Sequence, residues 1–305
     1  LQTPRVNRRS KEEGMLMLMA ALAAGLGSQG RRPADDADLA YWLRNMAAHR
    51  YTRAEMASAM GMAESEIAGA MRRLGITLRG GAVNKRGDLL LVLPYPGGRH
   101  PRIGFLDGAI EPQRDTKFSV FAPWDSTSYV VVDLPEAIFC NLGLIYLAHT
   151  HVPTLWSQQG VVLPPQEWTR HPDGSLTSER LLPNGIAFGA SVHPEKLAVR
   201  MVLWIRNGTT ETLKDIRAQV CVMLKGLRGM NQQTDSNKTL TASEAACASR
   251  DGRRSVNVAF QPLHRAWQNP PVPCIHSDPA FPDCPPGATV RAEGRLWFAE
   301  SSGRK

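Results

Sequence analysis

Cysteine is scarce in this 305-residue chain and odd in number: Cys140, Cys221, Cys247, Cys274 and Cys284. Five thiols in a chain this long are not the framework of a small disulfide-stapled domain. Long apolar runs are lacking as well. The one that starts at Met15 and ends at Ala24 is too short to span a bilayer. Several signatures are absent: the phosphate-binding Gly-x-x-x-x-Gly-Lys-Ser/Thr loop, a Gly-x-Gly-x-x-Gly turn after a strand, the Gly-x-Ser-x-Gly elbow and His-Glu-x-x-His. Nucleotide-dependent and common hydrolase chemistries lose ground accordingly.

No long block carries charge of one sign. The formal net charge is +8. Residues 1–80 hold 12 Lys+Arg against 8 Asp+Glu, and the remainder holds 24 against 20. So diffuse an excess favours solubility and weak attraction to polyanions without marking a nucleic-acid site. Hydrophobic residues make up 43% and charged residues 21%, the proportions of an ordinary folded protein.

Residues 1–34 read as a leader and linker. Arg5, Arg8, Arg9 and Lys11 precede the apolar run, and Ala21-Leu22-Ala23, Gly25 and Gly27 follow or close it. Basic, apolar, then small is the order of a bacterial secretory signal, which predicts an exported, periplasmic protein. Glu12 and Glu13 interrupt that order. The other reading is a cytoplasmic protein with a short amphipathic helix packed on the next unit.

Residues 35–80 have helical spacing. Asp36 or Asp38 can cap a first helix carrying Leu39, Trp42, Leu43 and Met46 on one side. Thr52 with Glu55 three residues on is a capping box, and that helix should run to Met60. Gly61 permits the positive φ of a tight turn. A further helix follows from Glu64 to Leu74, with Gly75 as its stop. Ala57, Gly61 and Ile67 then resemble a helix-turn-helix: a small residue at the crossing, a turn glycine and a branched anchor. That resemblance implies nucleic acid as a partner. The reading end, however, would carry Glu64 and Glu66, where base readout favours Arg, Asn or Gln. Arg72 and Arg73 could reach phosphates from the far end. An interaction role is the competing reading.

Residues 88–302 change rhythm to short apolar runs between Pro, Gly, Asn and Asp turns, predicting an antiparallel β-sandwich. Strands are expected at 89–93, 118–121, 129–132, 142–147, 186–192, 199–206, 216–224, 256–260 and 290–298. The strand at 199–206 alternates Val199, Met201, Leu203 and Ile205 with Arg200, Val202, Trp204 and Arg206. That at 216–224 alternates Ile216, Ala218, Val220, Val222 and Leu224 with Arg217, Gln219, Cys221 and Met223. Asn207-Gly208 is a hairpin signal that would make the two neighbours. Their outer faces would then merge Trp204, Arg200, Arg206, Arg217 and Gln219 into one ligand-binding surface. Indole stacks on sugar rings, and guanidinium and amide groups match hydroxyls or a carboxylate. An ordinary solvated face is the alternative.

The runs at 168–176, 182–188 and 199–209 resemble, in strand rhythm, the galactose-mutarotase-like sandwiches. The resemblance implies a fold and a class of ligand, carbohydrate, bound on a concave sheet face. No mutarotase His/Glu constellation can be matched to it.

Two local patterns bear on chemistry. His149 and His151 lie two apart, so an extended strand puts both imidazoles on one face, where they could serve as a catalytic pair or ligate a divalent transition metal. A metal needs a third ligand, with His276, His264, Glu167 or a cysteine available. Satisfied structural histidines are the alternative. Cys274-Ile-His276-Ser-Asp278-Pro, ending at Cys284, has no standard zinc spacing and reads as a rigid loop. In an oxidising compartment a Cys274–Cys284 disulfide is the simplest reading, with Cys247 able to replace either partner. In the cytosol, metal ligation or free thiols replace it. Carboxylates for glycoside chemistry abound (Asp107, Glu111, Asp133, Glu136, Glu167), with nothing to choose a pair.

The leading expectation is therefore a carbohydrate-binding or carbohydrate-processing sandwich with His149 and His151 at its site. The rivals are a DNA-binding regulator whose sandwich senses a small polar ligand, and a non-catalytic interaction protein.

Overall fold

The computed structural model describes residues 30–78, 87–99, 114–148, 152–269 and 271–301. The leader, most of the linker at 80–88, and both His149 and His151 lie outside the described residues.

Among the described residues three helices come first: α1 (Asp36–Ala48), α2 (Arg53–Met60) and α3 (Glu64–Arg73). Asp35, one residue earlier than expected, caps α1 by accepting from the Asp38 N–H. Thr52 and Glu55 form the capping box of α2, and Gly61 ends that helix at φ +60°. Leu39, Trp42, Leu43 and Met46 of α1 bury against Met56, Met60 and Ile67. The first turn of α3 leaves Glu64, Ser65 and Glu66 exposed, an acidic end.

The other described residues build a sandwich of two antiparallel sheets. The first has seven strands in the order β1 (Val92–Pro94), β2 (Lys117–Phe121), β3 (Tyr129–Cys140), β9 (Arg217–Met223), β14 (Cys274–Pro279) and β13 (Leu263–Gln268), with β4 (Gly143–Leu147) paired to the far half of β3. The second has eight: β10 (Lys238–Leu240), β11 (Ala245–Ala248), β12 (Arg254–Gln261), β15 (Thr289–Glu300), β8 (Ala198–Arg206), β7 (Ala187–Pro194), β6 (Leu176–Leu181) and β5 (Thr169–Arg170). A short helix, α4 (Leu155–Gln158), buries Trp156, whose indole N–H donates to the Ile145 carbonyl. The inner faces meet through Val130, Val132, Val220 and Val222 on one side and Val199, Met201, Leu203, Ile205, Val258 and Leu296 on the other. Each such side chain contributes about 1.5–3 kcal/mol.

β8 alternates as expected, but it is not β9's neighbour. Both of its edges are taken, by β7 and β15, so no edge is left for β9. The Asn-Gly signal marks a crossing rather than a hairpin. Asn207 is buried and donates to the carbonyls of Glu211 and Cys284, while its own side-chain oxygen accepts from the Thr209 N–H. The chain then passes to the other sheet. Arg200, Trp204 and Arg206 therefore lie on the outside of one sheet, and Arg217 and Gln219 on the outside of the other. The single five-residue surface expected from the alternation does not form.

The helices pack on the outer face of the seven-stranded sheet. His49, just after α1, sits against Phe121 and Tyr129 with ring centroids 5.0 and 4.8 Å away. Asn45 donates to the Pro94 carbonyl, and Tyr51 to the Gly97 carbonyl. Gly98, at φ +72°, lies so close to α2 that a Cβ there would meet the Ala59 Cβ at 2.8 Å. Only glycine fits this approach.

Candidate functional site

The helices cover one part of the outer sheet face, through Tyr95, Phe121, Tyr129 and Val131. The remainder carries a concentration of polar side chains with a simple origin in register. Lys117 on β2 pairs with Asp133 on β3, Asp133 with Cys221 on β9, Cys221 with His276 on β14, and His276 with Trp267 on β13. Directly paired residues point the same way. Five consecutive strands thus place one row of functional groups on one face. The first four members are buried.

The row is tied at both ends. Lys117 Nζ lies 3.0 Å from Asp133 Oδ1. The Trp267 indole stacks on the His276 imidazole with centroids 3.9 Å apart and planes 4° from parallel. Between Asp133 and Ala137 the register of β3 against β9 shifts, and Glu136 falls in this irregular stretch. Such bulges re-aim side chains, and here Glu136 Oε2 comes to 3.5 Å from His276 Nε2.

Period two adds a second layer. Cys274 and Asp278 flank His276 on its own face of β14. The ladder between β9 and β14 stops at the Cys221–His276 pair. Beyond it the Asp278 carboxylate substitutes for a strand partner by accepting from the Val220 N–H at 3.1 Å. Its other oxygen accepts from Arg265 Nε at 2.9 Å and from the Trp267 indole at 2.7 Å. Burial nonetheless pushes the carboxyl up, to about 6.

A group whose folded pKa is raised stabilises the fold below its unfolded pKa, and that contribution is lost as pH rises through the folded value. Asp278 contributes about 3 kcal/mol in total at low pH and is therefore expected to withdraw about 2.4 kcal/mol of it between pH 4 and pH 7. Asp278→Asn should remove that slope in urea titrations at the two pH values. An identical pH dependence in the variant would show that Asp278 titrates normally.

Next to Asp278 opens a cavity of about 360 Å³ lined by Phe139, Arg217, Gln219, His264 and Arg265. Burial and the two guanidinium groups hold the His264 imidazole below its usual range, so it remains neutral. The permanent charges of the cavity are thus the two arginines, set against a carboxylate that is readily protonated.

The expected site residues are dispersed. Arg217 and Gln219 line this cavity, whereas Arg200 lies in an open depression on the opposite sheet with Arg295 and Trp297. Arg206 makes an exposed ion pair with Glu179, and Trp204 packs across Gly189. Glu167 is engaged by Arg31 and Arg114. His276 is in the buried row. The segment expected to be a loop is strand β14 instead, and all five cysteines are free. No Cys274–Cys284 disulfide forms. Cys274 pairs with Met223 and Cys284 with Leu213, positions separated by the whole of β9. Its six steps alone extend roughly 20 Å, against a Cα separation near 6 Å in a disulfide.

Lys117, Cys221, Arg265, Trp267 and Asp278 escaped sequence reasoning as site residues, and Asp133 and Glu136 could not be singled out. The available signal was the same-face spacing of Arg265 with Trp267 and of Cys274, His276 and Asp278. A loop assignment hid it.

No protein-family profile matches this chain, and no curated protein does. Solved structures do. A candidate aldose 1-epimerase from Escherichia coli K12 is 10% identical, with a TM-score of 0.33 over 45% of this chain and 69% of its own. A protein from Synechocystis sp. PCC 6803 is 11% identical, with a TM-score of 0.35 over 61% of this chain and 88% of its own. Likeness at this level carries no functional weight, so the site must speak through its own geometry.

Proposed function

We propose that this chain binds a carbohydrate bearing a negative charge in the cavity over Arg217, Gln219, Arg265 and Asp278. The observation that carries the reading is the convergence of two guanidinium groups, an amide and a buried carboxylate on one sheet face, in a space of about 360 Å³. That volume falls within the range of small-molecule sites, roughly 300–1,000 Å³. Arginine's planar fork matches a carboxylate or phosphate in two places at once, and the Gln219 amide offers both a donor and acceptors to hydroxyls. Phe139 supplies an apolar wall, with the Arg217 guanidinium 5.5 Å from its ring centroid. Asp278, with a carboxyl near pKa 6, can exchange a proton at neutral pH and is the group to which processing, rather than binding alone, would fall. The depression around Arg200 lacks such a buried titratable group: Arg295 there pairs with Glu195 at the surface.

Isothermal titration with hexuronates and with the matching neutral hexoses tests this. Hexuronates should bind in preference, more weakly as salt rises. Arg217→Ala should weaken them by about tenfold or more, the equivalent of roughly 1.4 kcal/mol for a charge-assisted contact. Binding of neither sugar, or binding unaffected by the substitution, overturns the reading.

A further inference from the structure

One cluster remains outside the ligand cavity. Cys221, Cys274 and His276 bring three metal-ligating atoms within 4.8 Å of one another, and Asp133, Glu136 and Cys221 do the same. Cys221 belongs to both sets. All five residues are buried. We propose that Cys221, Cys274, His276 and Glu136 form a binding site for a thiophilic divalent cation, with zinc the best fit.

Strand geometry brings the donors together. Cys274 and His276 are two apart on β14, so both project from one face. Cys221 is the direct partner of His276 across the β9–β14 ladder, and Cys274 is the partner of Met223, one same-face position along. Two thiols and an imidazole therefore come from two adjacent strands with no loop to order. Glu136 arrives from β3 on the other side of β9, through the register shift. Three neighbouring strands supply four donors, and each is held by its own ladder.

The distances suit a tetrahedral ion. Zinc–sulfur and zinc–nitrogen bonds of about 2.3 and 2.0 Å put tetrahedral donors roughly 3.3–3.8 Å apart. The three Cys/Cys/His donors lie within 4.8 Å of one another. Glu136 Oε2 is 3.5 Å from His276 Nε2 but is grouped at that spacing with Cys221 and Asp133, so it completes the set of four only after its side chain rotates towards Cys274. The stacked Trp267 ring fixes the plane of His276, and orientation of a ligating imidazole by its surroundings is a regular feature of metal sites. Asp133 is not required as a ligand, because it faces Lys117 at 3.0 Å.

Donor chemistry selects the ion. Magnesium and calcium take oxygen ligands, whereas two thiols with an imidazole select zinc or another thiophilic ion. Four protein donors in a buried setting make the site closed, as structural zinc sites are. Such an ion would staple β3, β9 and β14 at their centre and thereby hold Trp267 against Asp278 at the edge of the cavity. This is a different site from the proposed sugar cavity and does not depend on it.

The test uses the full chain. Wild type is stripped with a chelator, reloaded with zinc or cobalt alone, dialysed, and assayed by elemental analysis and absorption. The expected result is stoichiometric metal, thiolate-to-cobalt charge-transfer absorption, tetrahedral d–d bands, and a higher Tm with zinc than without. Cys221→Ser and Cys274→Ser should each lose the metal and the charge-transfer band, while Cys140→Ser and Cys247→Ser keep both. If the two site variants fail to fold, thiol counting on wild type decides. Because all five thiols are buried, the reagent is applied at a urea concentration just below the midpoint, where the metal-free chain opens. There zinc should protect two of the five beyond the other three, and no such zinc-dependent protection overturns the proposal. So does sub-stoichiometric cobalt in folded wild type, or metal retained in a folded Cys221→Ser/Cys274→Ser double variant. Loss of metal with hexuronate binding intact, or the reverse, separates failure of this proposal from failure of the other.

Discussion

Acidification is expected to detach the helices from the sheet, and His49 is the reason. Its ring is buried between α1 and the sheet. Nδ1 lies 2.8 Å from the Asn45 carbonyl, which can only accept, so Nδ1 carries the proton. Nε2 must then accept from the Ser119 hydroxyl at 2.7 Å. Phe121, Tyr129 and Tyr95 surround the ring. A second proton would destroy the Ser119 bond and place a charge among aromatic rings. Burial, with some help from the Arg99 guanidinium, lowers the imidazole pKa to about 3. The unfolded chain takes up the proton near pH 6.5 and the folded chain only near 3. The contribution is therefore fully present above pH 6.5 and is lost as pH falls towards 3, in total about 5 kcal/mol. Asp278 works the other way over part of the same range, so total stability alone is a poor readout. The comparison that isolates His49 is the difference between wild type and His49→Gln at pH 7 and at pH 4. The variant should be the less stable of the two proteins at pH 7, and the gap should shrink by about 3 kcal/mol at pH 4. A gap that does not change with pH would mean that His49 is not held neutral by burial.

Replacing Arg99 should have an effect of similar size. Its guanidinium pairs with Glu55 through two bonds of 2.6 and 2.8 Å, donates to the carbonyls of His49 and Arg50 at 2.9 and 2.8 Å, and lies 3.6 Å over the Tyr51 ring. One side chain from the sheet's first connection thus engages the end of α1, the turn after it and the cap of α2. Arg99→Met keeps much of the packing volume and removes every one of those donors. Two carbonyls lose a buried donor and the part-buried Glu55 carboxylate is left with Thr52 alone, which together costs about 3–5 kcal/mol. Arg99→Lys restores the charge without the planar fork and should recover only part of the loss. Denaturant titration gives the magnitude, and hydrogen exchange should locate it in α1 and α2. A loss under about 1 kcal/mol, the worth of an exposed ion pair, would mean that the guanidinium does not join helices and sheet as the distances indicate.

The local half of this structure could be read from residues alone. Thr52 and Glu55 specify a capping box wherever they fall, and Gly61 specifies a left-handed stop, because each acts on backbone within one turn. The inward face of β8 was equally readable, since alternation is a property of one strand. β14 was misread for a related reason. Its Ser, Asp and Pro residues are turn formers when nothing pairs with them, but strand partners on both sides overrule that preference.

The sequence by itself determined which N-terminal segments become helix, most of those that become strand, and which side chains face inward on β8 and β9, though not the short α4. It also supplied, two residues apart, Arg265 with Trp267 and Cys274 with His276. Only the tertiary structure decided that β8 and β9 belong to opposite sheets. It alone set Lys117, Asp133, Cys221, His276 and Trp267 in one row, although they come from segments up to 159 positions apart in the chain. Period-two alternation says which way a side chain points relative to its strand neighbours. It says nothing about which strand lies beside it or in what register, because those follow from pairing and burial across the whole chain. The row, the bulge that brings Glu136 to His276, and the cavity beside Asp278 are all consequences of register, and so they appear only once the sheets are assembled.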